Sequence, residues 1–310
     1  MLIAVTPNLS KLTVYAERSE QELILGARHG SEQLLEVWSC AEPVLLSDNA
    51  RIGALEPGLR DAVFALYASY PRTVAYDEVE VAWTPQAYPR VWCPSIDTVF
   101  FARTLKAHLT GVKTIAEVGT GSGFLTKFAL AHAPAIERAL ASDINLDALR
   151  CTNDALTDLK HHASVSLICP RKDDETVGFS GRFDLLLSNP PYIPRPGEGN
   201  DNPYEGLGLI HKLAYQGADL LSEGGVMLLN ISTFAGDEPL EWLSDAGWQV
   251  RELDRLRVPL KINAVTSGAT IESREWLTYL RGRGAVPPAG ADHGYRLWHE
   301  LRMLACRPRH

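Results

Sequence analysis

The sequence contains no hydrophobic run near the roughly 18 residues that a membrane-spanning helix needs, so it predicts no membrane span. Its first residues, MLIAVTPNLSK, lack the basic start and the apolar length of a secretory signal peptide. The five cysteines are scattered, with no CxxC pair and no His at ligand spacing. We therefore expect reduced thiols in a cytoplasmic protein, with neither a disulfide framework nor a metal site.

The chain also lacks an excess of positive charge. Its formal net charge is −8, which argues against broad nucleic-acid binding. The charge is uneven, because residues 251–310 hold 11 Lys and Arg against 6 Asp and Glu. This segment predicts either a solvated surface or a local basic face. A length of 310 residues, without internal repeats, suits two domains or one large domain with an appendage.

Residues 1–90 predict a mainly helical module that ends in a β-hairpin. Residues 1–75 are predicted to be helical, notably at 9–30 and 56–71. The alternation in DEVEVAWT then predicts a strand, and the segment YPRVWCPS at 88–95 is expected to pair with it. We interpret this module as a substrate-recognition part that leads into a second domain at residues 91–310.

The second domain predicts alternating strands and helices, which indicates a Rossmann-like, doubly wound α/β fold. The mostly parallel sheet would have seven strands. Five of them are apolar runs, and WQVRELDRLRV and YRLWHELRMLAC would add two more at one edge. An insertion at about 258–294 separates these last two and contains one plausible helix, 271–281. The first five strands are expected at 113–118, 138–143, 164–169, 183–188 and 224–232, with helices at 97–109, 124–133, 145–159 and 206–221.

A glycine-rich turn, GTGSG at 119–123, follows the first of these strands and precedes a helix. Glycines at this place allow a tight turn and let a ligand approach the main chain, next to the free N–H groups of the helix. An ordinary tight turn is the alternative. The next strand ends in Asp143, placed either to accept both hydroxyls of a ribose or to cap the following helix. Together these features favour a nucleoside cofactor.

The spacing of the glycines favours S-adenosylmethionine over NAD. A dinucleotide fingerprint has two residues between its second and third glycines, and this turn has one. Glu117 lies two residues before Gly119, where a carboxylate would repel a diphosphate and suit an ammonium group. S-adenosylmethionine carries an adenosine and an ammonium group but no phosphate.

The segment FDLLLSNPPYIP ends a core strand with an amide, two prolines and an aromatic ring. Asn189 and Pro190 both precede proline, which holds their backbone extended. The Asn189 amide oxygen and the Pro190 carbonyl can accept two N–H bonds from one –NH2 group, and Tyr192 can stack on a planar substrate. This arrangement predicts a receptor for an amide or aromatic amine, with positioning and desolvation as the catalytic gain. A stiff loop, with Tyr192 in plain packing, is the alternative.

In this order, EVGTGSG, SDIN and SNPPYI resemble class I S-adenosylmethionine-dependent amino-methyltransferases, most closely the HemK/PrmC type. That type modifies a glutamine side chain in peptide-chain release factors. VWCPSIDT at 91–98 resembles its segment before the first helix, and the likeness covers roughly residues 90–255. The resemblance implies a catalytic and substrate-binding turn at Asn189, Pro190, Pro191 and Tyr192, and a cofactor site lined by Thr98, Glu117, Gly119, Thr120, Gly121, Ser122, Gly123, Asp143, Asn189 and either Asp173 or Asp174.

The resemblance leaves the acceptor open. The family's Glu-Pro segment after the Asn-Pro-Pro-Tyr turn is nearly absent, and the insertion and residues 1–90 match no family motif. Methylation of a protein glutamine is the leading hypothesis. The alternatives are N-methylation of adenine or guanine in RNA or DNA, with Tyr192 stacked on a flipped base, methylation of a small-molecule amine, and a cofactor-binding partner protein without turnover.

Overall fold

The protein's structure, a computed structural model, describes most of the chain after residue 71 and the backbone of four strands before it. The described residues are 72–84, 86–171, 177–194, 206–259, 278–280, 282–283 and 298–309, with the strands at 12–18, 23–29, 32–33 and 38–40. Two β-sheets result. The first sheet precedes the predicted α/β domain in the chain, and the second forms the centre of that domain.

The first sheet has the strand order β3-β2-β1-β5-β6, with β4 paired to β2. Strands β1 and β2 run antiparallel, while β1 and β5 run parallel, so the early strands join a later hairpin. The strands are β1 (Leu12–Arg18), β2 (Leu23–His29), β3 (Glu32–Gln33), β4 (Trp38–Cys40), β5 (Arg72–Tyr76) and β6 (Val79–Trp83).

The prediction of a helix across residues 9–30 is wrong, because this stretch contains β1 and β2. The segment LTVYAER holds β-branched and aromatic residues that suit a strand, although Leu, Ala, Glu and Arg are also good helix formers. The strand forms because β1 pairs with β2 on one side and with β5 on the other, and this pairing outweighs the helix propensity. The second predicted helix, at 56–71, lies outside the described residues.

The hairpin forms, but its pairing differs from the prediction. In β6 the side chains of Val79, Val81 and Trp83 are buried and the alternate ones exposed, as predicted. Its partner is β5, joined through Asp77 and Glu78, both of which have positive φ. Two such residues make the tight turn that suits the twist of a hairpin. The prediction that 88–95 pairs with β6 is therefore wrong, because residues 88–95 form no strand and the partner of β6 comes before it in the chain.

The second sheet confirms the predicted seven-stranded, mostly parallel fold, with the order β12-β13-β11-β10-β7-β8-β9. The five strands from β7 to β11 are parallel to their neighbours, and β13 runs antiparallel between β11 and β12. The strands are β7 (Thr114–Val118), β8 (Arg138–Ser142), β9 (Ser164–Ile168), β10 (Phe183–Ser188), β11 (Leu221–Ser232), β12 (Trp248–Pro259) and β13 (Trp298–Pro308).

Helices cover both faces of this sheet, as the alternating pattern predicts. They are α1 (Ile96–Lys106), α2 (Phe124–His132), α3 (Leu146–Leu156), α4 (Gly208–Gln216) and α5 (Glu238–Asp245). Neighbouring residues of β10 point to opposite faces: Leu185 and Leu187 pack with α1 and α2, while Leu186 packs with α4 and α5. Because both faces are covered, the central strands are mostly apolar, although β10 also contains Asp184 and ends in Ser188.

The hairpin of the first sheet packs directly against the second. Val81 and Tyr76 lie in the same hydrophobic core as residues of α1 and α2, and the Tyr76 ring stacks on Phe128 with 5.7 Å between centroids. The division into domains at residue 90 stays a prediction. Most of the predicted insertion at 258–294 lies outside the described residues, although 278–280 are helical. In the described part of the chain, the helices are too short or too polar to cross a membrane.

Candidate functional site

The carboxyl ends of β7, β8 and β10 meet at one edge of the sheet, where parallel folds of this kind hold their ligands. The N–H groups of Gly119 and Thr120 donate to the carbonyl of Ser142 at 2.8 and 3.0 Å, which fixes the glycine turn beside the end of β8. The hydroxyl of Ser188 donates to the Val118 carbonyl at 2.8 Å and ties β10 to β7. The structure thus brings the glycine turn, Asp143 and Asn189 together.

The glycines of the turn serve different purposes. Gly119, Gly121 and Gly123 all have positive φ, at +76°, +54° and +76°. A Cβ on Gly123 would lie 2.6 Å from the Cα of Thr152, so this glycine allows α2 and α3 to approach closely. A Cβ on Gly121 would meet nothing within 4 Å. The main chain at Gly121 is therefore the part of the turn that faces open space.

Glu117 lies buried beneath this turn and holds it to α2. One carboxylate oxygen accepts the backbone N–H of Thr126 and the hydroxyl of Thr120, each at 3.0 Å, and also the hydroxyl of Thr126. Burial raises the pKa of Glu117 to about 7, and these hydrogen bonds oppose the rise only in part. The structure thus gives the carboxylate a role in capping α2. Its predicted contact with a ligand ammonium stays a prediction.

Asp143 connects the glycine turn to the start of α3. One carboxylate oxygen accepts the N–H of Gly121 at 3.0 Å, and the other accepts the N–H of Asn145 at 2.8 Å. Burial raises the pKa of Asp143. The side-chain cap of α3 is Asn145, whose amide oxygen accepts the N–H of Asp147 at 3.1 Å. Asp143 is therefore not the helix cap considered as its alternative role, and each of its oxygens has capacity for a further donor.

Two other residues implied by the resemblance, Thr120 and Thr98, have local side-chain partners, and a third, Ser122, is buried. The hydroxyl of Thr120 also lies 3.2 Å from that of Thr152, and Ser122 is buried beside it in the turn. The hydroxyl of Thr98 accepts the N–H of Ser95 at 3.3 Å, which caps the start of α1. Asp173 and Asp174 lie outside the described residues.

The Asn-Pro-Pro-Tyr turn begins directly after β10, and its first side chain lies between two polar partners. Asn189 Nδ2 donates to a carboxylate oxygen of Asp97 at 2.9 Å. On its other side, Asn230 Nδ2 donates to Asn189 Oδ1 at 2.9 Å. The hydroxyl of Tyr192 reaches the same Asp97 oxygen at 3.5 Å. Pro190 is buried, while Pro191 and Tyr192 are half-buried at the rim.

Asp97 and Asn230 were not among the site residues predicted from the sequence. Asp97 belongs to the segment VWCPSIDT, which resembles the family's segment before its first helix, but within this segment only Thr98 was assigned a role. Asn230 is a single amide inside the apolar run of β11 and is completely buried. A buried amide in a core strand needs a polar partner, and this signal was available in the sequence. Its partner, Asn189, was not predictable from local pattern.

A second group of side chains lies behind Tyr192. The ring of His299 on β13 is 6.2 Å from the Tyr192 ring and stacks on Phe234 at 4.5 Å. His299 Nδ1 lies 2.7 Å from the hydroxyl of Ser232. Because the His299 ring is fixed by Ser232 and by Phe234, it limits the movement of the Tyr192 ring toward β13.

Comparison with known proteins identifies the family to which the region around this site belongs. The family model described as the methyltransferase small domain matches residues 95–255, which is just over half of the chain. A protein of Methanocaldococcus jannaschii, to which protein N5-glutamine methylation is provisionally assigned, is 24% identical over 184 residues, or 56% of this chain and 89% of that protein.

Two further relatives carry different acceptors in their names. The release factor glutamine methyltransferase of Moorella thermoacetica is 30% identical over 183 residues, covering 54% of this chain and 59% of its own. The tRNA1(Val) (adenine(37)-N6)-methyltransferase of Erwinia tasmaniensis is 25% identical over 158 residues, covering 47% and 61%. The chain thus spans about three fifths of each of these two relatives.

The matched region contains α1, the glycine turn, Asp143, the Asn-Pro-Pro-Tyr turn and Asn230. It therefore includes each element whose end meets at the site. Of the seven-stranded sheet it contains strands β7 to β11 and the first part of β12, but not β13. From this match and the relatives together, the chain belongs to the methyltransferase small domain family and is an S-adenosylmethionine-dependent methyltransferase.

Proposed function

We propose that this protein methylates an –NH2 nitrogen, and that its acceptor is a glutamine side-chain amide in a protein of the peptide-chain release factor type. The observation that carries the proposal is the position of Asn189. Its side-chain amide lies at the end of β10 with the oxygen turned to Asn230 and the nitrogen turned to Asp97. The relatives named for glutamine methylation support the same acceptor.

The residues around the glycine turn fit S-adenosylmethionine. The open main chain at Gly121 leaves room for a ligand, and the Asp143 carboxylate retains acceptor capacity for two ribose hydroxyls. When bound there, the cofactor supplies an electrophilic methyl group on a sulfonium sulfur. We assign the remaining contacts with the cofactor to Glu117, to Thr98 and to the backbone of 119–123. Asp173, which follows β9 in the sequence, is a further candidate.

The Asn-Pro-Pro-Tyr turn would orient the acceptor. Asn189 Oδ1 accepts one hydrogen bond from Asn230 and has one more lone pair. Pro190 and Pro191 have no N–H, and Pro190 is held extended by the proline that follows it. Asn189 Oδ1 and the Pro190 carbonyl can then accept the two hydrogens of one –NH2 group, which directs its nitrogen lone pair to the methyl donor. The Tyr192 ring covers one side of the planar acceptor.

Methylation of an adenine base is the second candidate, because two relatives are named as tRNA adenine methyltransferases. An exocyclic base amine offers the same two hydrogens as a glutamine amide, and Tyr192 could stack on a flipped base. The net charge of −8 favours a protein acceptor, whereas the positive excess of residues 251–310 suits a nucleic acid.

Three parallel incubations with methyl-labelled S-adenosylmethionine test the proposal: with a purified release factor, with total RNA and with duplex DNA. We expect label in the release factor, located by mass spectrometry on a glutamine side chain. Label in RNA alone would contradict the protein acceptor and support the second candidate. Cofactor binding without transfer to any acceptor would contradict both. A release factor as acceptor also agrees with the cytoplasmic location expected from the cysteines.

A further inference from the structure

A chain of hydrogen bonds connects three elements at the Asn-Pro-Pro-Tyr turn. It runs from Asp97 on α1, through Asn189 after β10, to Asn230 on β11, and both links measure 2.9 Å. The residues it joins are 92 and 41 positions apart in the sequence. Such long-range polar links in a partly buried region are specific, because a donor shielded from water there needs an acceptor in the protein.

The chemistry of Asp97 decides how the chain is oriented. A carboxylate only accepts hydrogen bonds, so the group of Asn189 that faces it must be the –NH2. The Asn189 oxygen then faces Asn230, which must present its own –NH2 in return. A reversed Asn189 would turn its oxygen toward the Asp97 carboxylate, and two acceptors would be left facing each other.

Asp97 is itself held in place. Its second carboxylate oxygen accepts the hydroxyl of Ser95 at 2.9 Å. It lies in the first turn of α1, where the positive end of the helix favours a negative charge. The Tyr192 hydroxyl, at 3.5 Å, is its third neighbour. Asp97 is therefore a fixed reference from which the orientation of Asn189 follows.

The side-chain oxygen of Asn230 is consistent with this orientation. Its Oδ1 is buried and has no hydrogen-bond partner among the described residues. An orphaned buried acceptor is unfavourable and needs an explanation. The orientation imposed by Asp97 supplies one, because Asn230 must give its –NH2 to Asn189 and keep its oxygen unpaired.

We propose that Asp97 and Asn230 are positioning residues that lock the Asn189 amide with its oxygen as the acceptor for the substrate. This rests on the proposed function and narrows it. Asn230 takes one lone pair of Asn189 Oδ1, so the amide accepts a single N–H from the substrate. The site then selects a group that donates, such as an amide or amine, over one that only accepts, such as a carboxylate.

The variant Asp97→Asn tests the lock without changing side-chain size. An amide at 97 can face Asn189 with either its oxygen or its nitrogen, so both orientations of Asn189 become possible. Asp245→Asn, at an exposed position on α5, removes the same charge elsewhere and is the matched control. Melting temperature and S-adenosylmethionine affinity, measured first, establish that each variant is folded.

The first readout needs no acceptor. In protein labelled with ¹⁵N-asparagine, the side-chain –NH2 signals of Asn189 and Asn230 are followed by NMR. In Asp97→Asn we expect the hydrogen exchange of Asn189 to accelerate about fivefold, since a charge-assisted bond is lost. The Asn230 signal should also move, although Asn230 does not bond to Asp97. Unchanged signals for both amides would overturn the proposal, whatever the acceptor is.

The second readout uses the acceptor that takes label in the preceding experiment. We expect Asp97→Asn to lower the maximal transfer rate about fivefold or more while the KM for S-adenosylmethionine stays within about twofold. Asp245→Asn should match the wild type in both. Equal maximal rates for Asp97→Asn and the wild type would contradict the positioning role. If no acceptor is found, the NMR result alone decides this inference.

Discussion

At the scale of the residue, Glu117 connects the glycine turn to α2 through a carboxylate that burial makes reluctant to ionise. Its three hydrogen-bond donors come from only two threonines, Thr120 and Thr126. From the sequence alone, Glu117 was interpreted as a carboxylate whose charge suits the ammonium group of a ligand. Its burial, which changes that charge near neutral pH, could not be read from a local pattern.

We predict that Glu117 makes stability depend on pH. In the unfolded chain the Glu117 carboxyl loses its proton near pH 4.5. In the folded protein, where its pKa is about 7, it keeps the proton to higher pH. Between these values unfolding releases a proton, so the free energy of unfolding falls as pH rises, by at most about 3 kcal/mol. Glu117→Gln should flatten this dependence in urea unfolding from pH 5 to 8. Glu223→Gln, at an exposed position, is the control; equal slopes in both variants would contradict the prediction.

We also predict that Asp143 serves the cofactor as well as the local structure. Asp143→Ala removes the proposed ribose acceptor and should weaken S-adenosylmethionine binding about tenfold or more in calorimetry. Asn145→Ala removes the cap of α3 and the hydrogen bond from Asn145 Nδ2 to the Pro89 carbonyl, which should cost about 1–2 kcal/mol of stability and leave affinity near that of the wild type. Unchanged affinity in Asp143→Ala would limit Asp143 to its two backbone contacts.

At the level of the secondary-structure element, the glycine turn has two separate roles, ligand access and helix packing. The sequence GTGSG does not show which glycine has which role. Gly121 faces open space, whereas Gly123 lies against the backbone of α3. A pattern of three glycines after a strand predicted the turn correctly. Which glycine serves packing follows from how closely two helices approach, and that distance is a tertiary property.

We predict that Gly123→Ala destabilises the protein more than the backbone angle alone explains. Gly111 has nearly the same φ, +78°, but a Cβ there would meet nothing within 4 Å. Gly111→Ala should therefore cost only the left-handed conformation, about 1 kcal/mol. Gly123→Ala adds the clash with Thr152 and should cost about 1–3 kcal/mol more in urea unfolding. Equal losses of unfolding free energy in the two variants would contradict the prediction, because they would show that α2 and α3 can move apart to accept the added Cβ at no cost.

The elements of the second sheet were predictable because their rules are local. Buried parallel strands are apolar runs, and FDLLLS at 183–188 has the same bounds in the prediction and the structure. Strand β1 was not predictable in this way, since its parallel partner β5 begins more than fifty residues later. The same reason hid Asp97 and Asn230, whose roles depend on Asn189 in a different element.

At the scale of the whole molecule, the two sheets share a hydrophobic core. Val81 on β6 is buried in the cluster that contains Phe128 of α2, and Lys127 donates to the carbonyl of Glu80 at 2.8 Å. A boundary at residue 90 would leave this contact between domains. We therefore expect the hairpin to unfold together with the α/β domain.

Val81→Ala tests this coupling. The lost core contacts should lower the free energy of unfolding by about 2 kcal/mol. The loss should appear equally in circular dichroism and in the loss of S-adenosylmethionine binding during denaturation. Glu80→Ala changes the exposed face of the same strand and should have little effect. If cofactor binding in Val81→Ala persisted to the wild-type denaturant concentration, the hairpin would be a separate folding unit.

We propose, for the site as a whole, that a turn at the end of β10 holds the acceptor nitrogen before a methyl donor bound at the glycine turn. The most direct measurement compares Asn189→Ala with the wild type in single-turnover methyl transfer and in S-adenosylmethionine binding. We predict that transfer falls about 100-fold or more, because an acceptor oriented for the reaction is lost, while cofactor binding is retained. Near-normal transfer by Asn189→Ala would contradict the account.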